Sequence, residues 1–280
     1  MIRARPDDWP EIEAFLTPRA DFAMFPLNNA RFYGVDGEDP YSLRVWIARD
    51  AKGGISEVLS MTKKGMIMPY LPSGDFGAAA KAIAGRAAEG IIGPGDHARG
   101  LKQALGLAHV PVMLDDDDPH FSLELDDLVI PDGAGELVAL AAADPETIIR
   151  WRIDYSIEAI QLPPDRAEED GRRAYQSYIE RDSHRALMID GRPVATTGIN
   201  ARLPQIVQVG GVYTPLPLRG RGYARRAVAL HLAEARAAGA SRATLFAGSE
   251  MATCAYQAIG FRRIGDWSII LFKEPVTLNV

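Results

Sequence analysis

Gln205-Ile206-Val207-Gln208-Val209-Gly210-Gly211-Val212-Tyr213-Thr214, with Arg219-Gly220-Arg221-Gly222-Tyr223-Ala224 shortly after it, is the stretch on which the reading of this chain turns. The first run is apolar and β-branched and reads as a buried strand. Beyond Gly222, to about residue 238, Ala, Leu, Arg and Glu dominate, and Ala224, Ala227, Val228, His231, Leu232 and Ala235 recur at helical spacing. Gly239 stands where a C-terminal cap glycine belongs. The order is strand, Gly/Arg-rich turn, helix. Such a turn aims several backbone N–H groups and the positive end of a helix dipole at one point, which suits a phosphate.

A Walker-type loop is excluded because no Lys follows these glycines, and a dinucleotide fingerprint fails because Arg225 stands at the third glycine position. The pattern [QR]-x-x-G-x-[GA] remains, met by Arg219, Gly222 and Ala224. Downstream, Tyr256-Gln257-Ala258-Ile259-Gly260-Phe261 forms Y-x-x-x-G-F. In these motifs, in their order and spacing, the chain resembles the GNAT superfamily of acyl-CoA-dependent N-acyltransferases. The resemblance implies an α+β fold, a mixed and mostly antiparallel sheet flanked by helices. It implies acetyl-CoA as co-substrate, no metal, and cofactor contacts from Val212, Tyr213, Thr214, Arg219, Gly220, Arg221, Gly222, Tyr223, Ala224 and Arg225. Tyr256 falls where the family places its general acid, and Ser249 where many relatives carry an Asn at the cofactor.

Gly210-Gly211 inside a strand indicates a bulge or a close backbone approach. A bulge there would splay this strand from the next one, at 242–247, and open a gap for a thioester arm along Val212 and Thr214. Amide formation needs a neutral amine, a donor for the oxyanion and a proton for the thiolate. A backbone N–H near Val212 serves the second need and the Tyr256 hydroxyl the third. A lysine-like amine, with a pKa of roughly 10.4, must first lose a proton. Residues 205–214 hold no carboxylate or His, so Glu158, His184, Glu250 and a chain of waters all stay open as the base.

The first half repeats the pattern of the second. Lys102-Gln103-Ala104-Leu105-Gly106-Leu107 overlies the Tyr256 motif at a constant offset of 154 residues (256 − 102 and 260 − 106). The same offset sets Ile91-Ile92 on Leu245-Phe246. Two GNAT-like halves in tandem are expected, a degenerate one at 1–130 and a catalytic one at 131–280, with the boundary in the Pro- and Gly-bearing run 126–135. In the first half the turn Leu71–Asp75 has one Gly and no Arg, and Asp75 would repel a pyrophosphate. That half is expected to have lost acyl-CoA binding and to serve as scaffold and acceptor-pocket wall. Residues 22–33 show no clear period. A helix is expected at about 76–89, and a hairpin turn at Asp115-Asp116-Asp117-Asp118, which lacks the Gly and Glu of a calcium loop.

A net charge of −6 argues against non-specific nucleic-acid binding. The lone Cys254 excludes an internal disulfide and fits a reducing cytoplasm. Neither a secretory leader nor a membrane span is evident in the sequence. The expected partner is a small-molecule or peptide amine, without nucleic acid or membrane, met by a monomer or homodimer. Two rival readings remain: a non-catalytic acyl-CoA-binding or regulatory module, and a GNAT-fold transferase with another acyl donor.

Overall fold

The computed structural model describes residues 1–279. It divides into two compact units, Met1–Asp118 together with the segment from Gly265 on, and Pro119–Ile264. The division departs from the 130/131 boundary expected from composition. The Pro- and Gly-bearing run 126–135 is bound into the second unit by Arg226, whose guanidinium donates to the carbonyls of Pro131 (2.6 Å) and Ala134 (3.1 Å).

The first unit runs β1 (Ile2–Arg3), α1 (Trp9–Leu16), α2 (Ala20–Tyr33), β2 (Leu43–Arg49), β3 (Ile55–Thr62), β4 (Met66–Tyr70), α3 (Phe76–Ala82), β5 (Ala87–Pro94) and α4 (Gly95–Ala104), then enters β6 (Val112–Glu124). The second repeats that order: β7 (Glu136–Ala139), α5 (Pro145–Glu158), α6 (Pro164–Glu180), β8 (His184–Ile189), β9 (Arg192–Arg202), β10 (Ile206–Tyr213), α7 (Tyr223–Ala237), β11 (Arg242–Phe246), α8 (Glu250–Gln257) and β12 (Arg262–Thr277). The fold is α+β, with a mostly antiparallel sheet flanked by helices. In the first unit the strands lie in the order β1-β2-β3-β4-β5-β12, and in the second β7-β8-β9-β10-β11-β6. Among the described strands, β4/β5 and β10/β11 pair in parallel, one pair in each unit.

The last strand of the first unit, β12, therefore comes from beyond the second unit in the sequence, whereas that of the second, β6, is the segment with which that unit begins. Ile269 and Ile270 of β12 pair with Ile92 and Ile91 of β5, and Phe121 and Leu123 of β6 pair with Leu245 and Ala243 of β11. Ile270, Phe272 and Leu278 are buried in the core of the first unit with Ile67, Ile83, Ile91 and Leu101. Phe121 and Leu123 are buried in the core of the second with Val207, Val209, Leu232 and Phe261.

Three local expectations need correction. Residues 115–118 are part of the continuous strand β6, not a hairpin turn. Arg99 and Lys102 of α4 bind Asp115, and Arg99 binds Asp117, so two of the four carboxylates have cationic partners. The 22–33 region is helical, and its period is blurred by Pro26 and by a kink at Ala23 (φ −128°). Helix α3 stops at Ala82, because Gly85 (φ +76°) turns the chain into β5, seven residues before the expected end. Asp144 accepts from Thr147 N (3.0 Å) with Pro145 in the first turn, and Gly239 (φ +99°) follows α7.

Candidate functional site

The site lies in the second unit, where β10 leaves β11. Their parallel pairing covers only Ile206↔Arg242, Val207↔Ala243 and Gln208↔Thr244. On the other side the β10–β9 register shifts twice, between Gln208 and Val209 and between Gly210 and Tyr213. Gly211 has φ +61°, a conformation that glycine adopts without the clash of a Cβ. The predicted bulge and splay are both present, and beyond Gln208 the β11-facing edge of β10 is unpaired with that strand.

The chain then passes through Pro215 and a short 3-10 turn, Leu216–Leu218, into the Gly/Arg-rich segment. Gly220 (φ +78°) and Gly222 (φ +79°) are both left-handed, so the turn's shape depends on them. The first hydrogen bond of α7 runs from Arg226 N to Gly222 O (3.0 Å), and no side chain caps the helix. The N–H groups of Tyr223, Ala224 and Arg225 therefore point outward without a helical acceptor. The turn's arginines divide by partner. Arg219 donates to Thr214 O (2.9 Å), pairs with Glu158 and lies over the Tyr213 ring. Among the described residues Arg221 and Arg225 have no carboxylate partner, and Nε of Arg225 is buried without an acceptor. The free cations of this turn are thus Arg221 and Arg225, whereas the Arg219 side chain braces the loop.

Val212 packs half-buried against the core that holds Tyr256. Tyr213 is buried against Trp151 and Ile148, and its hydroxyl donates to Glu158 (3.1 Å). Burial first, then Glu158, pushes that phenol up to about 12. Thr214 is buried and its Oγ1 lacks a partner. Among these three predicted residues, Tyr213 can serve a ligand only through its backbone. Tyr223 packs beside Leu218 and Leu137. Ser249 accepts from Ala252 N (3.2 Å) as the N-cap of α8, so its hydroxyl already has a structural role.

Tyr256 is 7% exposed and meets Phe261 edge-on at 6.0 Å. The Y-x-x-x-G-F pattern proves to be a helix stop. Gly260 (φ +107°) donates to Gln257 O (3.1 Å), and Phe261 N reaches back to Tyr256 O (3.2 Å). A Cβ on Gly260 would come 2.7 Å from Asp127 O. Burial, then Tyr155, raises the Tyr256 pKa well above its usual value, so the phenol keeps its proton through the physiological range. Of the candidate bases, Glu158 is occupied by Tyr213 and Arg219, and Glu250 is exposed at the start of α8. His184 is buried and held down to about 3, by burial first and then by His231, Arg152 and Arg185.

A recess bounded by Trp151, Arg152, Tyr155, Tyr178, His184 and Thr196 opens beside Gly211. Arg152 there is bound to Asp170 (2.9 Å) and Ser156. The aromatic residues Trp151 and Tyr155 come from α5 and Tyr178 from α6. Gly198, which leaves space for the His184 ring, carried no sequence signal.

The matching place in the first unit holds a small recess too, bordered by Met68, Pro69, Tyr70, Ile92 and Gly93, but its lining differs. Its β4/β5 pairing also ends early, at Met66↔Gly90 and Ile67↔Ile91. There, however, His97 Nδ1 accepts from Leu71 N (3.2 Å), and Pro69 lies against Gly93, where an added Cβ would be 3.1 Å from its Cδ. Asp75 caps α3 by accepting from Ala78 N (3.1 Å), placing a carboxylate where Gly222 stands in the second unit. Gly106 (φ +69°) and Leu107 repeat the stop after α4, with bonds to Gln103 O (3.0 Å) and Lys102 O (3.1 Å), but Lys102 in the place of Tyr256 is paired with Asp115.

Among the described residues no group of three His, Cys, Asp or Glu is placed to hold a metal, and no helix is long and apolar enough to cross a membrane. No curated protein matches the sequence significantly. Solved structures resemble the fold at low identity. A Drosophila protein aligns with TM-score 0.65 at 12% identity, covering 96% of this chain and 97% of its own. A GCN5-related N-acetyltransferase from Kribbella flavida gives 0.58 at 17%, covering 91% and 95%. Another, from Sphaerobacter thermophilus, gives 0.56 at 14%, covering 100% and 96%. Residues 146–261, which span α5 to the stop after α8, match the family model described as the acetyltransferase (GNAT) family. Over residues 146–261 the chain is thus similar to the GNAT acetyltransferase family.

Proposed function

We propose that the second unit is an acetyl-CoA-dependent N-acyltransferase, passing the acyl group to a primary amine by direct attack in a ternary complex. The observation that carries this reading is the meeting of two features at one end of β10. The strand parts from β11, and the turn after it presents uncapped N–H groups beside Arg221 and Arg225. A pyrophosphate fits that turn through backbone donors and the helix dipole, and the two guanidinium groups add charge. The parted strand leaves backbone groups of Val212 and Thr214 for an amide-bearing arm. Val212 N–H is the oxyanion donor and Tyr256, still protonated, the acid for the departing thiolate. Ser249 holds α8 rather than the cofactor.

The first unit, in this reading, is a second GNAT-like repeat without acyl-CoA binding, supported by Asp75 at its helix cap and by His97 and Pro69 in its strand gap. The single thiol, Cys254, supports a reducing compartment, the cytoplasm. The acceptor is a small-molecule or peptide amine. One observation favours a purely binding role instead: β10 offers no carboxylate or His.

Calorimetric titration with acetyl-CoA, on the wild type and on Gly222→Asp, tests the proposal. One site per chain, lost in the variant, is expected. Two sites would refute the loss of acyl-CoA binding in the first unit, and none would refute the donor. A protein that binds acetyl-CoA but releases no thiol with any amine would be a binder.

A further inference from the structure

The sheet of the first unit carries a cluster of cations that the chemistry above leaves unused. Arg3 of β1 pairs in register with Trp46 of β2, and Arg44 precedes Trp46 by two residues, so all three point to one face of the sheet. Arg86 arrives from the turn before β5, a turn fastened by the C-terminal segment. Gly85 N donates to Leu278 O (2.7 Å) and Leu278 N to Arg86 O (2.8 Å). The guanidinium carbons of Arg3 and Arg86 stand over the Trp46 ring, 4.7 and 4.9 Å from its centroid.

These cations outnumber their partners. Arg3 donates to Val45 O (3.1 Å) and pairs with Asp36, which leaves that pair neutral. Among the described residues Arg44 and Arg86 have no ion pair and no side-chain hydrogen bond, and of their nitrogens only Nε of Arg86 is sealed from solvent. Burial first, then Arg44 and Arg3, push the Arg86 pKa down, while Asp36 acts the other way. Two charges without a counter-charge are thus held near each other, in a chain whose net charge is −6. Like charges so placed repel, and a bound anion relieves the repulsion.

We propose that Arg44 and Arg86, with Arg3 beside them, form a phosphate-binding site on the first unit, taking inorganic phosphate or the phosphate end of a monoester. The two free guanidinium groups match a phosphate, which carries about −1.5 to −2 at neutral pH, both in charge and in their forked donors. A single carboxylate leaves one cation over. Trp46 is 3% exposed and covered by two guanidinium groups, so no base or aromatic ring stacks on it. The site therefore reads the phosphate and not the molecule behind it. It needs neither the Gly/Arg-rich turn of the second unit nor acetyl-CoA.

Calorimetric titration of the full chain with inorganic phosphate and with glycerol 3-phosphate, at constant ionic strength, tests this. The wild type and Arg225→Ala are expected to bind phosphate equally well at this site, and Arg44→Ala and Arg86→Ala each about tenfold more weakly. Arg44→Lys, which keeps the charge and loses the fork, should fall between. Arg44 makes no side-chain hydrogen bond among the described residues, so Arg44→Ala keeps the test decisive even if Arg86→Ala loses its stacking on Trp46 and unfolds. Tighter binding of glycerol 3-phosphate assigns the site to an ester, and tighter binding of the free ion to inorganic phosphate; either upholds it. No binding to the wild type at millimolar phosphate, or binding that folded Arg44→Ala leaves unchanged, overturns the site. Binding lost in Arg225→Ala alone places the ion on the turn of the second unit and overturns it as well.

Discussion

Acidification from pH 7 to 5 is expected to take about 4 kcal/mol from the stability of the second unit. His184 and His231 are each 3% exposed, and each has a ring nitrogen without a partner. Burial first, then neighbouring cationic groups, holds both near 3 rather than 6.5. Above pH 6.5 both rings are neutral folded or unfolded, and neither moves the balance. Below it the unfolded chain takes up two protons that the folded unit refuses until about pH 3. Each histidine then costs about 1.4 kcal/mol per pH unit, or about 2 kcal/mol by pH 5. A loss of that size is a large part of a typical stability of roughly 5–15 kcal/mol. In the first unit Asp118 acts in the opposite sense. It is raised from 3.8 to about 6, by burial first and then by Asp116 and Asp117, so protonation between pH 6 and 5 favours the folded form by about 1 kcal/mol. Urea denaturation followed by tryptophan fluorescence at pH 7, 6 and 5 reads the sum, and imidazole NMR titration reads each histidine directly. His231→Leu should remove about half of the acid sensitivity. Stability that is flat from pH 7 to 5, or either ring titrating near 6.5 in the folded protein, would refute the reasoning.

Other outcomes follow from the same geometry. Tyr256→Phe should reduce thiol release about a hundredfold at every pH tested while leaving acetyl-CoA affinity intact, since the ring's packing on Phe261 survives; unchanged turnover would remove the acid role. Arg221→Ala and Arg225→Ala should each weaken acetyl-CoA binding about tenfold, the scale of one charge-assisted hydrogen bond, in calorimetry, whereas Arg226→Ala should chiefly lower thermal stability, its guanidinium being spent on Pro131 and Ala134 carbonyls. Gly211→Ala should destabilise by about 1–2 kcal/mol in urea, because φ is +61° and the new methyl would press on His184.

The parts of this fold that were legible in the sequence are those fixed by local backbone chemistry. Gly210-Gly211 announced the bulge, Gly220 and Gly222 the turn, and Gly239 the end of a helix, because each is a conformation that few residues satisfy. The 154-residue offset survived as two identical helix stops, at Gly106 and Gly260. What was not legible depends on residues distant in the sequence. Four consecutive aspartates look like a solvated turn until Arg99 and Lys102 arrive from α4. Arg219 reads as a phosphate ligand until Glu158, from α5, takes its guanidinium. The His184 slot needs Gly198 and Gly211 from two different strands. Periodicity shows which face of a strand is buried but not which strand lies beside it, so the placement of β6 and β12 could not be read.

That placement bears on how the protein is made. Ile91 leaves the ribosome long before its strand partner Ile270, and the residues between them build nearly all of the second unit. Until the last strand is released, the nascent first unit has an open β5 edge and a core missing Ile270, Phe272 and Leu278. An open strand edge over an unfilled core invites wrong pairings. The N-terminal unit, although synthesised first, is thus the one that finishes folding last, once the segment from Gly265 on has left the ribosome.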